Sequence, residues 1–530
     1  MSHSKQGVYV PLPQSLSDSE SDKEEKSNGI ESSNLKFTQP RNGHPHLPDF
    51  QHDLGKIKIK SVRKLSARRK IALTFSVFVC FLPIVILLWI LPCQDTSTCS
   101  LKIGNWESSH DDVEFLGPIN LIRGIFHKNW NLALIYKGSF KSSKAFKNGV
   151  LSVLGDNGAV AWDFQQESFP SEMNCTILDA TNGGLYDCLV VDGKGLKAIE
   201  PVSGEALWHA HSLEGKSIPE LGMPIKIDDL DKDGVNELLA VYKKSDLLII
   251  SGKTGRALSN IRLPSICSSI NLLKLNSINS IKYVCTKTGD AEATYEISMQ
   301  DIESKYLDSG ANIKLNVVQN EANSTYIKAG NKKLVVNNIN ICPKCNSIVT
   351  LFDSNNTKVD SWTFDNTIIM NPIPFTFPSS RPLYSFETYI HGFILKMWYW
   401  QEDSLKLSPV TRIYKRNVPI HNETFHLNKV SERVILIILK DNDVRIENVS
   451  LTDIYLICNG PQHHNCQPNH NNQKDSLLIA DLDFDNLMEL ISFSSTYKQI
   501  DVDGYDTWHL TSKLNVFRLE SEFPKLLKNK

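Results

Sequence analysis

The chain has 530 residues, of which 41% are hydrophobic and 22% are charged, and its formal net charge is −2. These values are ordinary for a globular protein and leave the number of domains open. A near-neutral chain has no general attraction for nucleic acid, so we predict no nucleic-acid partner.

Residues 1–70 are rich in Ser, Lys, Glu, Asn and Pro, a composition typical of a disordered segment. An acidic residue stands three positions after each of three serines, a spacing that suits acidophilic kinases. These candidate phosphorylation sites are Ser17, Ser19 and Ser21. Tyr9 and Leu12 fit the tyrosine-x-x-apolar pattern by which an extended peptide binds a sorting adaptor. A merely solvated tail is the alternative for both motifs.

Residues 71–91 form an apolar segment of 21 residues without a formal charge. At about 1.5 Å per helical residue, it reaches across a hydrocarbon core of roughly 30 Å. It starts too far from residue 1 for a cleaved signal peptide. Eight basic residues precede it with no acidic residue among them: Lys56, Lys58, Lys60, Arg63, Lys64, Arg68, Arg69 and Lys70. The positive-inside bias therefore predicts a type II single-pass membrane protein with a cytosolic N-terminus, at the cell surface or in the Golgi.

The rest is predicted to be a stalk over residues 92–103 and a lumenal or extracellular domain over residues 104–525. Ten of the 11 cysteines lie beyond the apolar segment, as expected in a disulfide-forming compartment. Close neighbours give five candidate pairs, although other connectivities are open: Cys93 with Cys99, Cys175 with Cys188, Cys267 with Cys285, Cys342 with Cys345, and Cys458 with Cys466. Five glycosylation sequons lie on the same side: Asn174, Asn323, Asn355, Asn422 and Asn448.

Short apolar runs bounded by Gly, Asn, Asp and Ser recur through this domain, and no long stretch keeps a helical apolar period. The runs occupy residues 131–136, 188–191, 237–242, 246–251, 333–338, 347–352, 434–439 and 476–482. They predict an all-β fold, either a sandwich array or a propeller.

A repeated phrase favours the propeller. Each copy has an apolar strand, a polar turn with Gly or Asn, and a second strand, and two copies end near Trp162 and Trp208. The copies are residues 149–164, 195–210, 246–261 and, more loosely, 347–364. Such hairpins at intervals of roughly 50 residues are typical of blades, so we predict a β-propeller of seven blades. Hairpins in unrelated β domains are the alternative.

The strongest chemical motif is the acidic loop IDDLDKDGVNELLAVY at residues 227–242. Counted from Asp229, acidic side chains occupy positions 1, 3, 5 and 9, and Gly234 permits a sharp turn. The predicted ligands are Asp229, Asp231, Asp233, Glu237 and the carbonyl of Val235. A hard cation such as Ca²⁺ would relieve the repulsion between these carboxylates. The flanking strands exclude an EF-hand, and a solvated acidic turn is the alternative.

A second, weaker acidic loop repeats this spacing near the C-terminus. Its carboxylates are Asp481, Asp483, Asp485 and Glu489. Asn486 replaces the glycine and tolerates a left-handed backbone, so the turn is retained. Residues 115–136 have the same strand frame without carboxylates, which predicts a blade without a metal.

Strand–DxDxDG–strand loops are the FG-GAP-type motif of integrin α propellers. Together with a signal anchor, they make the chain resemble the "family with sequence similarity 234" proteins. The resemblance rests on ARRK before the apolar segment, LPC after it, the GEALW phrase and the IDDLDKDGVNELL loop. It implies a glycosylated propeller of the cell surface or secretory pathway without an established enzymatic role. The repeat without carboxylates and Asn486 depart from the family pattern.

Two other readings compete with a binding propeller. Golgi glycosyltransferases share the type II topology and use a DxD pair, which Asp229 and Asp231 match, but the strand–helix alternation around a nucleotide site is absent. The Cys342–Cys345 spacing and the histidines of residues 463–470 suggest zinc, although an oxidising lumen favours disulfides. We therefore predict a non-enzymatic binding, adhesion or receptor-like module whose protein or glycan ligand stays unidentified.

Overall fold

The computed structural model describes residues 103–519 apart from 125–128, 140–146, 264–266, 277–278, 288–291, 309, 311–312, 319–325, 379–388, 402–407, 410–424, 441–442, 460–465 and 503–504. The chain divides into two compact units, residues 1–91 and residues 92–530. In the first unit only residues 68, 75–76 and 81 are described. The phosphorylation and sorting motifs, most of the predicted anchor and the Cys93–Cys99 pair therefore lie outside the described residues. Within the described part of the chain, no helix is long and apolar enough to span a bilayer.

The second unit folds into antiparallel sheets that follow one another along the chain. The first sheet contains β2 (Val113–Arg123), β3 (Trp130–Gly138), β4 (Asn148–Leu154) and β5 (Val160–Gln166). The second contains β6 (Pro170–Leu178), β7 (Asp187–Asp192), β8 (Gly195–Ile199) and β9 (Ala206–His209). The third contains β10 (Ile225–Lys226), β11 (Leu238–Tyr242), β12 (Asp246–Ile250) and β13 (Ala257–Arg262).

The fourth sheet adds a helix to this pattern. It contains β14 (Ser269–Asn276), β15 (Ser280–Thr286), β16 (Glu292–Ser298) and β17 (Asn316–Val318), with α1 (Met299–Leu307) between the last two strands. The side chain of Ser298 caps this helix by accepting a hydrogen bond from the Gln300 N–H. The fifth sheet contains β18 (Ile327–Ala329), β19 (Lys332–Ile339), β20 (Asn346–Phe352) and β21 (Lys358–Asp365).

The sixth sheet is the largest. It contains β22 (Thr367–Ile369), β23 (Ile373–Pro378), β24 (Tyr389–Trp400), β25 (Ser408–Pro409), β26 (Phe425–Lys440), β27 (Asp443–Asn459) and β28 (Cys466–Gln467). A short 3-10 helix, His470–Gln473, leads to the seventh sheet. That sheet contains β29 (Leu477–Ala480), β30 (Glu489–Val502), β31 (Tyr505–Arg518) and β1 (Trp106–Asp111).

The seven sheets form a closed β-propeller, as the sequence predicts. Inner strands of neighbouring sheets contact one another at β2–β6, β6–β10, β10–β14, β18–β23 and β23–β29, and β29 contacts β2 in turn. The outer strand of the seventh sheet is β1, whose Trp106 lies opposite Val516 of β31. The first and last strands of the domain are thus paired, which closes the ring and covers the outer edge of β31.

The core lies between the faces of neighbouring sheets. Leu132 and Leu134 of the first sheet pack with Phe493 and Leu514 of the seventh, and all four are completely buried. Burying one such side chain contributes about 1.5–3 kcal/mol. Alternate side chains of β3 point to opposite faces of the sheet, so Ala133 and Ile135 pack instead with Val190 of the second sheet. Strands such as β3 are therefore buried on both faces, between two neighbouring blades.

The repeated phrase corresponds to the two outer strands of four sheets, β4–β5, β8–β9, β12–β13 and β20–β21. A tryptophan on one outermost strand donates its indole N–H at 2.9 Å to a carbonyl in the next sheet's outer turn: Trp106 to Gly155, Trp162 to Pro201, and Trp208 to Gly252. Gly204 lies under Trp162 at φ +75°, where a Cβ would stand 2.6 Å from the ring. The phrase therefore specifies the contact between blades as well as the hairpin.

Four of the five predicted disulfide pairs are confirmed, and the fifth lies outside the described residues. They are Cys175–Cys188, Cys267–Cys285, Cys342–Cys345 and Cys458–Cys466. The pairing of Cys342 with Cys345 disfavours zinc at these thiols.

Candidate metal centre and its neighbouring loops

The first acidic loop joins the two inner strands of the third sheet, β10 and β11. The Asp229 carboxylate organises it by accepting hydrogen bonds from the backbone N–H groups of Lys232 at 2.7 Å, Asp233 at 3.2 Å and Gly234 at 3.0 Å. Gly234 has φ +91°, a conformation that residues with a side chain rarely adopt. Position 1 therefore holds the turn, and position 6 makes it sterically possible.

Glu237 lies beneath this turn and is 1% exposed. Its Oε1 accepts hydrogen bonds from the N–H groups of Leu230 at 3.1 Å and Asp231 at 3.0 Å. Its Oε2 is buried and has no hydrogen-bond partner among the described residues. Burial raises the pKa of Glu237 to about 7, and the nearby carboxylates of Asp231 and Asp229 also raise it. A bound cation would compensate both the missing partner and the buried negative charge.

Three of the predicted ligands converge at this point. Asp229, Asp231 and Glu237 each offer an oxygen atom, and these atoms lie within 4.8 Å of one another. The Asp233 carboxylate instead accepts the N–H of Val235 at 2.9 Å. Three carboxylate oxygens around one point fit a hard cation, which takes oxygen ligands from protein and water. The structure thus brings together Asp229, Asp231 and Glu237 and leaves Asp233 outside the cluster.

The second acidic loop has the same backbone and lies at the same place in the seventh sheet, between β29 and β30. Asp481 accepts hydrogen bonds from the N–H groups of Asp485 at 3.2 Å and Asn486 at 2.9 Å. Glu489 is completely buried, accepts the Leu482 N–H at 2.9 Å, and keeps its Oε1 without a partner in the described chain. Burial raises the pKa of Glu489 to about 7. Asp481, Asp483 and Glu489 also offer oxygen atoms within 4.8 Å of one another.

Arg518, at the end of β31, distinguishes this second loop. The sequence pattern did not predict its role. Its guanidinium forms a hydrogen-bonded ion pair with Asp485, lies 3.8 Å from Asp483, and donates to the Ile103 carbonyl at 3.1 Å. The Ile103 N–H donates to Asp483 at 2.8 Å. Although burial opposes the change, the bonds from the Leu487 N–H and Arg518 lower the pKa of Asp485. Arg518 is 413 positions from Asn105, whose side chain accepts its backbone N–H, so no local sequence pattern could reveal these contacts.

A third loop of the same form was also missed. It joins β6 to β7 in the second sheet. Asp179 accepts the N–H groups of Gly183 at 3.0 Å and Gly184 at 2.7 Å, and the buried Asp187 accepts the Ala180 N–H at 2.7 Å. These bonds repeat those of the acidic loops. The signal is visible in DATNGGLYDCLV beside DLDKDGVNELLA, where Asp, Gly and an acid hold positions 1, 6 and 9.

Residues 136–355 match the FAM234A/B β-propeller family. Over this segment the chain is similar to the FAM234 proteins. Protein FAM234A of Bos taurus is 25% identical over 216 residues, which cover 37% of this chain and 38% of that protein. Protein FAM234A of Rattus norvegicus is 23% identical over 230 residues, 40% of each chain. The alignments thus span about two fifths of these relatives, and neither the family nor the relatives carry an enzyme's name.

A solved structure, the crystal structure of BamB from Moraxella catarrhalis, aligns with 76% of this chain over 85% of its own length. Its TM-score is 0.23 at 10% identity, which says nothing about function. The match of residues 136–355 begins within β3 and includes the third loop and the first acidic loop. The second acidic loop lies beyond it.

The predicted glycosylation sequons differ in exposure. Asn355, in the turn between β20 and β21, and Asn448, on β27, are exposed. Asn174 is half-buried on β6, and its side chain accepts the Thr176 hydroxyl at 2.8 Å. Asn323 and Asn422 lie outside the described residues. Glycosylation itself stays a prediction at all five positions.

Proposed function

We propose that this chain is a non-enzymatic binding module, anchored in a membrane and facing away from the cytosol, whose propeller binds Ca²⁺ in the Asp229 loop. The observation that carries the proposal is the Glu237 side chain, because its buried Oε2 is unpartnered within the described part of the chain and lies beside Asp229 and Asp231. A buried polar oxygen without a partner costs about 1–3 kcal/mol, so the fold gains when a cation occupies this point.

Calcium is the cation that this oxygen set and its predicted compartment favour. Carboxylate, carbonyl and water oxygens suit Ca²⁺, and the cluster contains no sulfur or imidazole donor among the described residues. The ion would link the turn at Asp229 to the start of β11 through Glu237. It would therefore stiffen a loop on one face of the propeller, where blade loops form binding surfaces.

Calorimetric titration of the metal-free full-length chain with Ca²⁺ in detergent tests the site. We expect saturable binding that Glu237→Gln and Asp231→Asn each weaken by at least tenfold. The matched control is Asp228→Asn, because Asp228 is an exposed acid of the same loop outside the cluster. Unchanged binding in both site variants would refute the metal site.

The predicted N-terminal tail would decide where recognition takes place. We propose that Tyr9 and Leu12 bind a sorting adaptor and that phosphorylation of Ser17, Ser19 and Ser21 regulates this step. The partner on the propeller is a protein or a glycan. Surface delivery of a Tyr9→Ala variant measures the tail's role, and an unchanged distribution would refute it.

A glycosyltransferase is the alternative that Asp229 and Asp231 support through their DxD spacing. The described residues argue for a binder, because α1 is their one α-helix of the second unit and no strand–helix alternation surrounds the pair. We expect the full-length chain to leave nucleotide-sugar donors intact. Turnover abolished by Asp231→Ala would reverse this choice.

A further inference from the structure

We propose that the cavity between the Asp179 loop and the Asp229 loop binds one sugar residue of a glycan. This inference rests on the proposed function and names the class of ligand for the same face of the propeller. The cavity has a volume of about 230 Å³ and lies between the second and third sheets. Its walls come from both loops, so the two neighbouring blades build it together.

The walls of the cavity expose bare backbone at two matched positions. Gly184 of one loop and Gly234 of the other both line it, at φ +82° and +91°. A Cβ built at either glycine would have no heavy atom within 4 Å in the described chain. The turn requires these glycines for their φ, and a further consequence is open space on the side that faces the cavity. A ligand can therefore approach the backbone of both loops closely.

The polar side chains that line the cavity are those that neutral hydroxyl groups need. Asn182 and Asn236 carry carboxamides, which both donate and accept hydrogen bonds. Asn236 uses its Nδ2 to donate to the Ile227 carbonyl at 3.0 Å, which orients its Oδ1 as an acceptor. Lys226 adds one ammonium donor. Sugar hydroxyls act as donors and acceptors at once, and thus match a mixed set of this kind.

Tyr186 supplies the apolar surface that a sugar ring also requires. It lines the cavity and is 51% exposed, so part of its surface is open to a ligand. Its hydroxyl makes no hydrogen bond within the described residues. A tyrosine offers a rigid ring face and a polar tip at low entropic cost, so it can pack against the C–H face of a sugar. Ile177 and Leu178 continue this apolar side.

The electrostatic surroundings favour a neutral ligand over an acidic one. Asp179 lines the cavity, and the Asp229 carboxylate accepts the N–H of Gly234, another lining residue, at 3.0 Å. A single Ca²⁺ compensates only part of that charge, so an anionic ligand would meet repulsion. The cavity is also too small for a helix or strand of a protein partner, whereas ligand pockets of a few hundred Å³ enclose small molecules.

Calcium and sugar binding should be coupled because they use the same loop. Gly234, Val235 and Asn236 line the cavity and stand between the proposed ligands Asp231 and Glu237. Ordering this segment with Ca²⁺ would fix Asn236 before the sugar arrives, which reduces the entropic cost of binding. We therefore expect sugar affinity to fall at least threefold when calcium is removed.

Saturation-transfer NMR on the full-length chain in detergent with Ca²⁺ tests the proposal. The probes are methyl α-mannoside, methyl β-galactoside, N-acetylglucosamine and, as a competing class, a lysine-rich tetrapeptide. We expect one neutral sugar to bind with a Kd on the order of 1 mM, as suits one small ring. Tyr186→Ala and Asn236→Ala should each weaken it at least fivefold. Tyr326→Ala is the matched control. Tyr326 is 44% exposed, directly precedes β18 in the fifth sheet and does not line this cavity.

The outcomes separate this inference from the proposed function. Calcium binding with no sugar binding, or sugar binding that Tyr186→Ala and Asn236→Ala leave unchanged, would overturn the sugar site alone. Binding of the basic tetrapeptide in place of sugars, lost in Tyr186→Ala, would also overturn it in favour of a peptide site. If the unmodified chain did not bind calcium, this result would instead contradict the proposed function. Asn236→Asp keeps the side-chain size and serves if Asn236→Ala fails to fold.

Discussion

The two acidic loops have the same backbone conformation, and each contains a buried glutamate, but their carboxylates have different partners. In the seventh sheet, Arg518 brings an internal cation to Asp485 and Asp483. In the third sheet, no described arginine or lysine pairs with a carboxylate of the Asp229 loop; Lys253 reaches only the backbone carbonyl of Asp233, at 3.0 Å. The same fold therefore presents one loop in which an internal arginine pairs with two carboxylates and one in which the described residues provide no such partner.

The loop at Asp179 shows which positions make this difference. Asp179 and Asp187 reproduce the turn, whereas Thr181 and Gly183 stand where the acidic loops have carboxylates. Positions 1 and 9 therefore build the loop, and position 3 adds a carboxylate to the cluster of the two acidic loops. The turn geometry by itself is not evidence for a metal. The observation that supports one is the buried, unpartnered oxygen of Glu237, which Glu489 repeats in the seventh sheet.

Among the variants considered, the replacement of Arg518 should lower the stability of the chain the most. Arg518→Met leaves Asp483 buried without its cation and breaks the contact to Ile103, so we expect a loss of about 3–5 kcal/mol in the free energy of unfolding. Calcium should restore part of this loss, because the emptied loop then resembles the Asp229 loop. Thermal unfolding with and without Ca²⁺ measures both effects.

The matched control for that variant is Lys513→Met. Lys513 lies on the same strand and forms an ion pair with Glu107 of β1, but both side chains are partly exposed. Such a pair contributes about 0–1 kcal/mol. If the two variants lost equal stability, and calcium rescued neither, the assignment of Arg518 as the resident cation would be wrong.

The sequence predicted the propeller well because its blades repeat a local pattern. The hairpins of β4–β5 and β12–β13 are visible as apolar runs around glycine turns, and Asp229 to Glu237 are visible as a fixed spacing. Contacts between distant segments left no such pattern. Arg518 meets Ile103 across 415 positions, and the Asp179 loop lacks the carboxylates by which the other two were recognised.

Glu237→Gln should change stability in opposite directions with and without calcium. In excess Ca²⁺, at about 100 times the Kd, binding stabilises the native chain by about 2.7 kcal/mol, and the variant should lose most of this. Without calcium, the neutral amide removes a buried charge, so the variant should be at least as stable as the parent. Unfolding midpoints under both conditions decide it; full calcium stabilisation in Glu237→Gln would exclude Glu237 as a ligand.

The stability of the metal-free chain should fall as the pH rises from about 5 to 8. Burial raises the pKa of Glu237 and of Glu489 to about 7, so the folded chain binds protons that the unfolded chain has already released. Their contribution is complete below the unfolded pKa near 4.5 and is lost as the pH passes about 7. Calcium stabilisation should change in the opposite sense, because the ion requires ionised carboxylates.

The control for the pH experiment is the double variant Glu237→Gln, Glu489→Gln. It should flatten the pH dependence of the metal-free midpoint between pH 5 and 8. A slope that persists undiminished in the double variant would assign the effect to other groups, such as Asp187, whose pKa burial raises to about 6.

The smallest expected effect comes from adding carboxylates to the Asp179 loop. The double variant Thr181→Asp, Gly183→Asp places acids at positions 3 and 5 of a loop whose backbone turn already matches that of the acidic loops. Because Asp187 is one methylene shorter than Glu237, the new site should bind Ca²⁺ more weakly than the Asp229 loop, by roughly tenfold. Isothermal titration should therefore show one additional weak site. Thr181→Asn with Gly183→Asn, which adds the same bulk without charge, should show none; an added site there would mean that turn geometry, and not carboxylate charge, decides which of these loops binds a cation.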